Sequence, residues 1–267
     1  MLWLFVSGGV MEDFWYVLYP VVFIYGIVIG SFLNVCIYRI PKDENIATVN
    51  SHCMSCGHRL KWYDLIPLFS WIFLRGKCRY CGERISVQYP IVESVNGLLY
   101  IAIFFINGWS VESSLWCIVT SCLIVIAVID YRTMLIPVGS YFVILLIGIV
   151  HMLLDLNNWW DYVIGAVGAG VFLLLCALVF RLVTGKGGLG LGDIELMVCA
   201  GMCLGIRRVF FVIVIGCVAG AIIEGIRMAV TKNKGKFAFG PYLSAAIFIG
   251  LMWGQAMFDW YVGLAGL

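Results

Sequence analysis

Charge is scarce in this chain. Asp, Glu, Lys and Arg make up 12% of its 267 residues, whereas soluble domains carry about 25%. Hydrophobic residues account for 63% and the mean hydropathy is +1.02, so a soluble globular domain is excluded and a polytopic membrane protein is implied. A basic n-region is also missing. Met1 to Val10 holds no Lys or Arg, and the first long apolar run begins only after Glu12-Asp13, which argues for an uncleaved first span over a cleavable signal peptide. A large charge of one sign is missing too: the net charge is +2. The basic residues between Arg39 and Gln88 face Asp43, Glu44, Asp64 and Glu83, which is membrane topology bias and gives no footprint for nucleic acid.

What the chain does have is apolar runs, and a span needs about 20 such residues. The runs predict helices at Phe14–Tyr38, Tyr89–Ile106, Ser114–Ile129, Ile136–Leu154, Tyr162–Val183, Ile194–Ile206, Val209–Val230 and Phe239–Phe258. The boundary between the sixth and seventh is set at Arg207-Arg208. The expected architecture is an all-α polytopic membrane protein of about eight transmembrane helices with a small zinc-knuckle loop on the cytoplasmic side. In domain terms, residues 1–38 are a first transmembrane helix, 39–88 a cytoplasmic tetracysteine loop, and 89–267 a transmembrane bundle. The 30 glycines suit close helix packing in lipid.

Basic residues orient the helices. With the N-terminus outside, every Lys and Arg except Arg207 and Arg208 falls in an inner segment, including Lys186, Lys232, Lys234 and Lys236. Glu12, Asp13, Glu112, Asp155, Asp161 and Asp259 fall outside, and Trp109, Trp159, Trp160 and Trp260 form an outer aromatic belt. Both termini are then outside the cytoplasm.

Two acids stand out against this background. Asp130 ends the run from Ile118 to Ile129, and Asp193 follows the glycine-rich Gly187-Gly188-Leu189-Gly190-Leu191-Gly192. An ionised carboxylate in hydrocarbon costs a few kcal/mol or more, so an acid at such a position suggests a functional site. Both fall at the inner face. Two carboxylates that meet share a proton near neutral pH: one activates water and the other protonates a scissile carbonyl, so a peptide bond can be cut without a catalytic metal. The alternative is structural, with Asp130 capping a helix end or pairing with Arg132, and Asp193 capping the start of the next helix. Among the other acids, Glu195 points to a different helix face from Asp193. Glu224 and Arg227 are spaced as an intrahelical pair. Glu93 fits either a site or a satisfied interhelical hydrogen bond.

The eleven cysteines fall into two groups. Cys36, Cys117, Cys122, Cys176, Cys199, Cys203 and Cys217 lie in apolar runs and read as small hydrophobes. Cys53-x-x-Cys56 and Cys78-x-x-Cys81 form two knuckles, each followed by a glycine, with the donor set of a structural zinc site. A redox pair or unligated thiols are the alternatives. His52 and His58 flank the first knuckle as further possible ligands. A loop of this size cannot build a core of its own, so a bound metal would hold it together.

With these residues in view, the chain resembles the type IV prepilin peptidases, aspartic membrane enzymes with a GxGD motif. The resemblance runs through Gly30-Ser31-Phe32-Leu33-Asn34-Val35, Tyr38-Arg39-Ile40-Pro41, the two knuckles, Ile66-Pro67-Leu68-Phe69-Ser70-Trp71 and Leu74-Arg75-Gly76. It continues through Tyr89-Pro90-Ile91-Val92-Glu93, Asp130 with Met134-Leu135-Ile136-Pro137, Val183-Thr184-Gly185-Lys186, Gly190-Leu191-Gly192-Asp193 and Phe239-Gly240-Pro241-Tyr242-Leu243. It implies removal of a short basic leader from prepilins or pseudopilins at the cytoplasmic face of a bacterial inner membrane, with Asp130 and Asp193 catalytic. It also implies N-methylation of the new N-terminus with S-adenosylmethionine, a structural Zn2+ on Cys53, Cys56, Cys78 and Cys81, and Asp64, Gly76 and Glu93 as candidates for the methyl-donor site. Two positions depart from the family: Val138 follows Pro137 where aspartate is common, and Glu195 stands where lysine is common. The competing classes are a proton-coupled transporter, which lacks obvious inverted repeats or paired broken helices here, a non-catalytic assembly subunit, and a methyltransferase alone.

Overall fold

All eight apolar runs fold as α-helices in a computed structural model of the chain, which describes residues 10–185, 188–231 and 237–266. Helix α1 spans Val10–Arg39 and a short α2 spans Phe69–Phe73. The rest are α3 (Gln88–Asn107), α4 (Val111–Thr133), α5 (Val138–Leu154), α6 (Trp159–Thr184), α7 (Leu191–Leu204), α8 (Ile206–Thr231) and α9 (Gly240–Ala265). Among the described residues, six helices are long and apolar enough to cross a membrane. Helix α5 is a shorter apolar helix of 17 residues and α7 has 14. At 1.5 Å per residue α7 is about 21 Å long, less than the hydrocarbon thickness of about 30 Å. The N-terminal stretch read as lacking a cleavable signal peptide lies outside the described residues up to residue 9, as do Lys186, Gly187, Lys232, Lys234 and Lys236.

Two helix boundaries move. The sixth helix ends at Leu204, and Arg207 and Arg208 sit in the first turn of α8 instead of between helices. The cause is Gly205, whose φ of +75° closes α7 by returning its N–H to the Gly201 carbonyl. Helix α5 starts at Val138 because Pro137 caps it in an extended conformation and leaves Ile136 in the connection.

The chain divides into two compact units, Met1–Trp109 and Ser110–Leu267. In the first, α3 packs along α1 and so groups with it, not with the helices that follow. The two backbones approach closely: a methyl group on Gly26 would lie 2.7 Å from Gly97 Cα, and Asn96 donates its side-chain N–H to the Gly26 carbonyl at 2.7 Å. In the second unit α7 packs on α5 and α6, α4 on α5 and α9, and α8 on α6 and α9. A methyl on Gly201 would lie 2.5 Å from the Gly165 carbonyl oxygen, so α6 and α7 touch backbone to backbone. The core of this unit is aliphatic around Trp116, with Ile126, Ile129, Ile144, Leu196, Met197, Leu243 and Ile247 fully buried.

The seven cysteines of the apolar runs are free thiols within helices, and Cys203 donates to the Ile144 carbonyl at 3.5 Å. Glu224 pairs with Arg227 as expected.

Candidate active site and metal centre

In the second unit the two aspartates occupy opposite kinds of helix end. Asp130 lies in the last turn of α4, which closes where Met134 enters the left-handed region (φ +56°) and returns its N–H to the Asp130 carbonyl at 2.8 Å. This turn carries Asp130 inward, to 5% exposure, and Tyr131 outward, to 77%. Asp193 lies in the first turn of α7, half-buried, and accepts the backbone N–H of Gly190.

Glycines explain how these ends come together. A methyl on Gly192 would lie 3.2 Å from Ile136 Cβ, so the segment leaving Asp130 packs tightly against the residue before Asp193, and a side chain at 192 would push it back by a few tenths of an ångström. The Asp130 carboxylate lies within electrostatic reach of Asp193. Gly240, the first residue of α9, donates its N–H to Asp130 Oδ2 at 2.7 Å, and a methyl there would also lie 2.7 Å from that oxygen. Each carboxylate therefore faces the positive end of a helix, α9 for Asp130 and its own α7 for Asp193. The capping alternative is realised in part: Asp193 does cap α7, while Asp130 serves a helix 110 residues away. Capping and a shared proton are compatible.

The other acids separate clearly. Glu195 is exposed and takes the Tyr141 phenol. Glu224 is buried and takes Tyr242 Oη–H at 2.7 Å in addition to its bond from Arg227. This cross-helix bond leaves no mark in the sequence, where Gly240 and Tyr242 carry the family resemblance without an assigned role. The signal available was Gly240-Pro241, since proline at the start of a helix fixes where the free N–H groups lie.

In the first unit the two knuckles repeat each other bond for bond. Cys53 N–H donates to the His58 carbonyl at 3.0 Å and Gly57 N–H to the Cys53 carbonyl at 2.9 Å; Cys78 to Glu83 and Gly82 to Cys78 do the same at 2.8 and 3.0 Å. Gly57 (φ +71°) and Gly82 (φ +73°) turn each hairpin through the left-handed region. The four sulfurs lie within 4.8 Å of one another, with Cys53 and Cys81 at 3.8 Å. Thiolate arms of about 2.3 Å around a tetrahedral ion put sulfurs about 3.8 Å apart, so the cluster can hold a metal ion. The Cys56 backbone N–H pulls the Cys53 thiol down to about 6. Cys81, opposed only by a backbone bond at Glu83, is pushed up to about 12 by desolvation and its thiol neighbours. His52 bonds the Asn50 carbonyl and His58 stacks on Tyr80, so neither belongs to the cluster.

Asp64 and Glu93 line one cavity of about 330 Å3 together with Asn34, Arg39 and Trp71. Asp64 accepts Arg79 Nε–H at 2.8 Å, the Tyr80 phenol at 3.1 Å and the Lys61 N–H at 3.3 Å. Burial opposes its ionisation, yet these donors hold its carboxyl below the usual range. Glu93 is 5% exposed and takes the Leu68 N–H at 2.8 Å and a side-chain bond from Ser31. That bond anchors a tight γ-turn: Leu68 has φ +60° and ψ −55°, and Phe69 N–H reaches the Pro67 carbonyl at 2.6 Å. Gly76 does not line the cavity. It supports Trp71, which does: a methyl on Gly76 would lie 2.8 Å from that indole.

Comparison with known proteins follows the same division. The bacterial Peptidase A24 N-terminal domain matches residues 24–107, and the type IV leader peptidase family matches residues 117–224. The chain is similar to the prepilin leader peptidase/N-methyltransferase of Aeromonas hydrophila, at 33% identity over 91% of this chain and 93% of that protein. Proteins of the same name in Pseudomonas putida (30%, covering 99% of each chain) and Bacillus subtilis strain 168 (31%, covering 92% and 98%) are also similar. No solved structure matches the chain.

Proposed function

The chain belongs to the type IV leader peptidase family, and from that premise we propose that it removes the leader of a prepilin or pseudopilin through Asp130 and Asp193. It then methylates the exposed amine. The observation that carries the reading is the convergence of two carboxylates on bare glycines and free helix N–H groups at one end of a helical membrane bundle. The leader peptide bond lies between them. The ionised aspartate takes a proton from water as the water oxygen attacks the carbonyl carbon, and the protonated aspartate donates to the carbonyl oxygen. Collapse of the tetrahedral species breaks the C–N bond, the departing amine takes its proton from the acid that received it from water, and the other aspartate recovers its proton from the hydroxyl as the carbonyl re-forms. Gly240 and Gly190 N–H groups orient the two carboxyls throughout. A proton-coupled transporter or a non-catalytic assembly subunit is not favoured by the family match.

The first unit serves methyl transfer. Cys53, Cys56, Cys78 and Cys81 hold a structural Zn2+, since thiolates fill all four positions and none is left for water. When bound, S-adenosylmethionine supplies an activated methyl group. A cavity of about 330 Å3 whose lining carries the carboxylates Glu44, Asp64, Glu83 and Glu93 alongside Arg39, Lys42, Arg79 and Arg84 suits a small ligand that, like S-adenosylmethionine, bears charges of both signs. Asp64 and Glu93 face it, and Gly76 shapes it through Trp71. The protein lies in the bacterial inner membrane with the loop and the aspartates at the cytoplasmic face and both termini outside.

The test is purified protein with a prepilin: cleavage followed by methylation supports the reading, and an intact substrate overturns it. The exposed Glu195, two residues from Asp193, is expected to tune the pair. Glu195→Lys should shift the pH–rate profile of cleavage or the preference for leader charge, and identical profiles and preferences in both proteins would end that idea.

A further inference from the structure

Asp130 depends on a backbone N–H, so what fixes that N–H matters. Gly240 opens α9, and among the described residues the chain before it resumes only at Phe237. A helix start that follows a connection is held by its side chains, since its first N–H groups have no partners within the helix. Two residues on, Tyr242 lies in the same first turn and donates its phenol to Glu224 Oε1 at 2.7 Å. Glu224 is 8% exposed and sits inside α8, a helix long and apolar enough to span a membrane. Its second oxygen is held by Arg227 one turn along, so the carboxylate has one orientation. Beside it, Gly220 of α8 presses on the rings of both Phe239 and Tyr242; a methyl there would lie 3.1 Å from Phe239 Cε2 and 3.5 Å from Tyr242 Cδ2. Arg227, Glu224 and Tyr242 thus form one chain of bonds from α8 to the turn that serves Asp130.

We propose that Glu224 and Tyr242 are positioning residues for peptide-bond cleavage, clamping the first turn of α9 so that Gly240 N–H stays on Asp130. This rests on the assignment of Asp130 to the dyad. A buried, doubly bonded carboxylate is expensive to keep in a spanning helix, and a clamp on the catalytic acid gives that cost a use. Neither residue touches substrate. Their effect reaches the chemistry only through the Gly240 N–H, and a misplacement of about 1 Å at a catalytic group costs up to about 10²-fold.

The experiment compares Tyr242→Phe, Glu224→Gln and Glu224→Leu, alone and with Gly240→Ala, in steady-state prepilin cleavage with thermal stability recorded alongside. Tyr242→Phe removes one oxygen atom and should leave melting nearly unchanged. It and Glu224→Leu are expected to lower kcat about 10- to 100-fold at constant KM, while Glu224→Gln, whose amide oxygen still accepts the phenol, recovers most of the rate. In the Gly240→Ala background Tyr242→Phe should cost little more, because both act on one hydrogen bond. Wild-type kcat in Tyr242→Phe, a loss confined to KM, full additivity with Gly240→Ala, or equal damage from Gln and Leu at 224 would each overturn the clamp. Asp130→Asn is the control. Cleavage surviving in that variant removes the dyad assignment itself, whereas an inactive Asp130→Asn beside a fully active Tyr242→Phe removes only the clamp.

Discussion

Asp130→Asn and Asp193→Asn should each abolish leader removal, with the rate falling by at least about 10³-fold, while helical content and melting stay close to wild type. General acid–base catalysis contributes about 10²–10⁴-fold, and in the proposed mechanism each carboxylate takes a turn as both acid and base, so an amide can do neither half. Folding should survive, because an asparagine oxygen can still accept the single N–H that each aspartate receives, from Gly240 at position 130 and from Gly190 at position 193. Replacing a buried charge in an apolar bundle by a neutral group can even stabilise it. Circular dichroism and a gel-shift assay of prepilin cleavage decide the matter. Loss of activity together with loss of folding would make the aspartates structural caps; a variant that still cleaves would end the dyad. The double variant should be no slower than either single one, since the two groups act as a unit.

These aspartates could be read in the sequence because charge inside an apolar run is conspicuous without any tertiary information. The cysteine knuckles were equally legible: their hydrogen bonds are local, spanning five residues or fewer, so spacing and the trailing glycines determine them. Legibility ended where the partner was distant. Gly240 serves Asp130 across 110 positions, and Tyr242 reaches Glu224 from another helix. Neither contact leaves a periodic mark. The end of the sixth helix was missed for a different reason. Two arginines looked like the polar break between spans, but their side chains project from the first turn of α8, Arg207 onto Asp161 at 3.5 Å. The break needed only a left-handed glycine, and Gly205 supplied it. The strained Leu68 turn had no sequence signal, because its cost is offset by a buried carboxylate twenty-five residues on.

Removing the metal ligands should have the second large effect, and in one unit of the protein only. Between Ile40 and Gln88 only Gly76 and Cys78 are buried, and several large apolar side chains of the loop, among them Trp62, Phe73, Ile72 and Phe69, are 55% exposed or more. A segment of this length with no core cannot offset its conformational entropy by burial. Its order rests on the four sulfurs and on Asp64, which ties the turn at Trp62–Leu65 to Arg79 and Tyr80 inside the second knuckle. Structural zinc in small cysteine sites is worth about 10–16 kcal/mol near pH 7, far more than the Asp64 bonds can replace. Cys53→Ser with Cys81→Ser, or a strong chelator, is therefore expected to open the loop to limited proteolysis and to lower methyl transfer at least about 10²-fold, because Asp64 and Trp71 of the proposed methyl-donor cavity belong to that loop. Cleavage should hold within a few-fold, since Asp130, Asp193 and the groups bonded to them all belong to Ser110–Leu267. Mass spectrometry of the processed product separates the two activities in one sample, a methyl group adding its mass to the cleaved chain. A loop that stays protease-resistant after complete metal removal would show that something other than the four thiolates orders it, and equal loss of both activities would tie the cysteine site to cleavage as well.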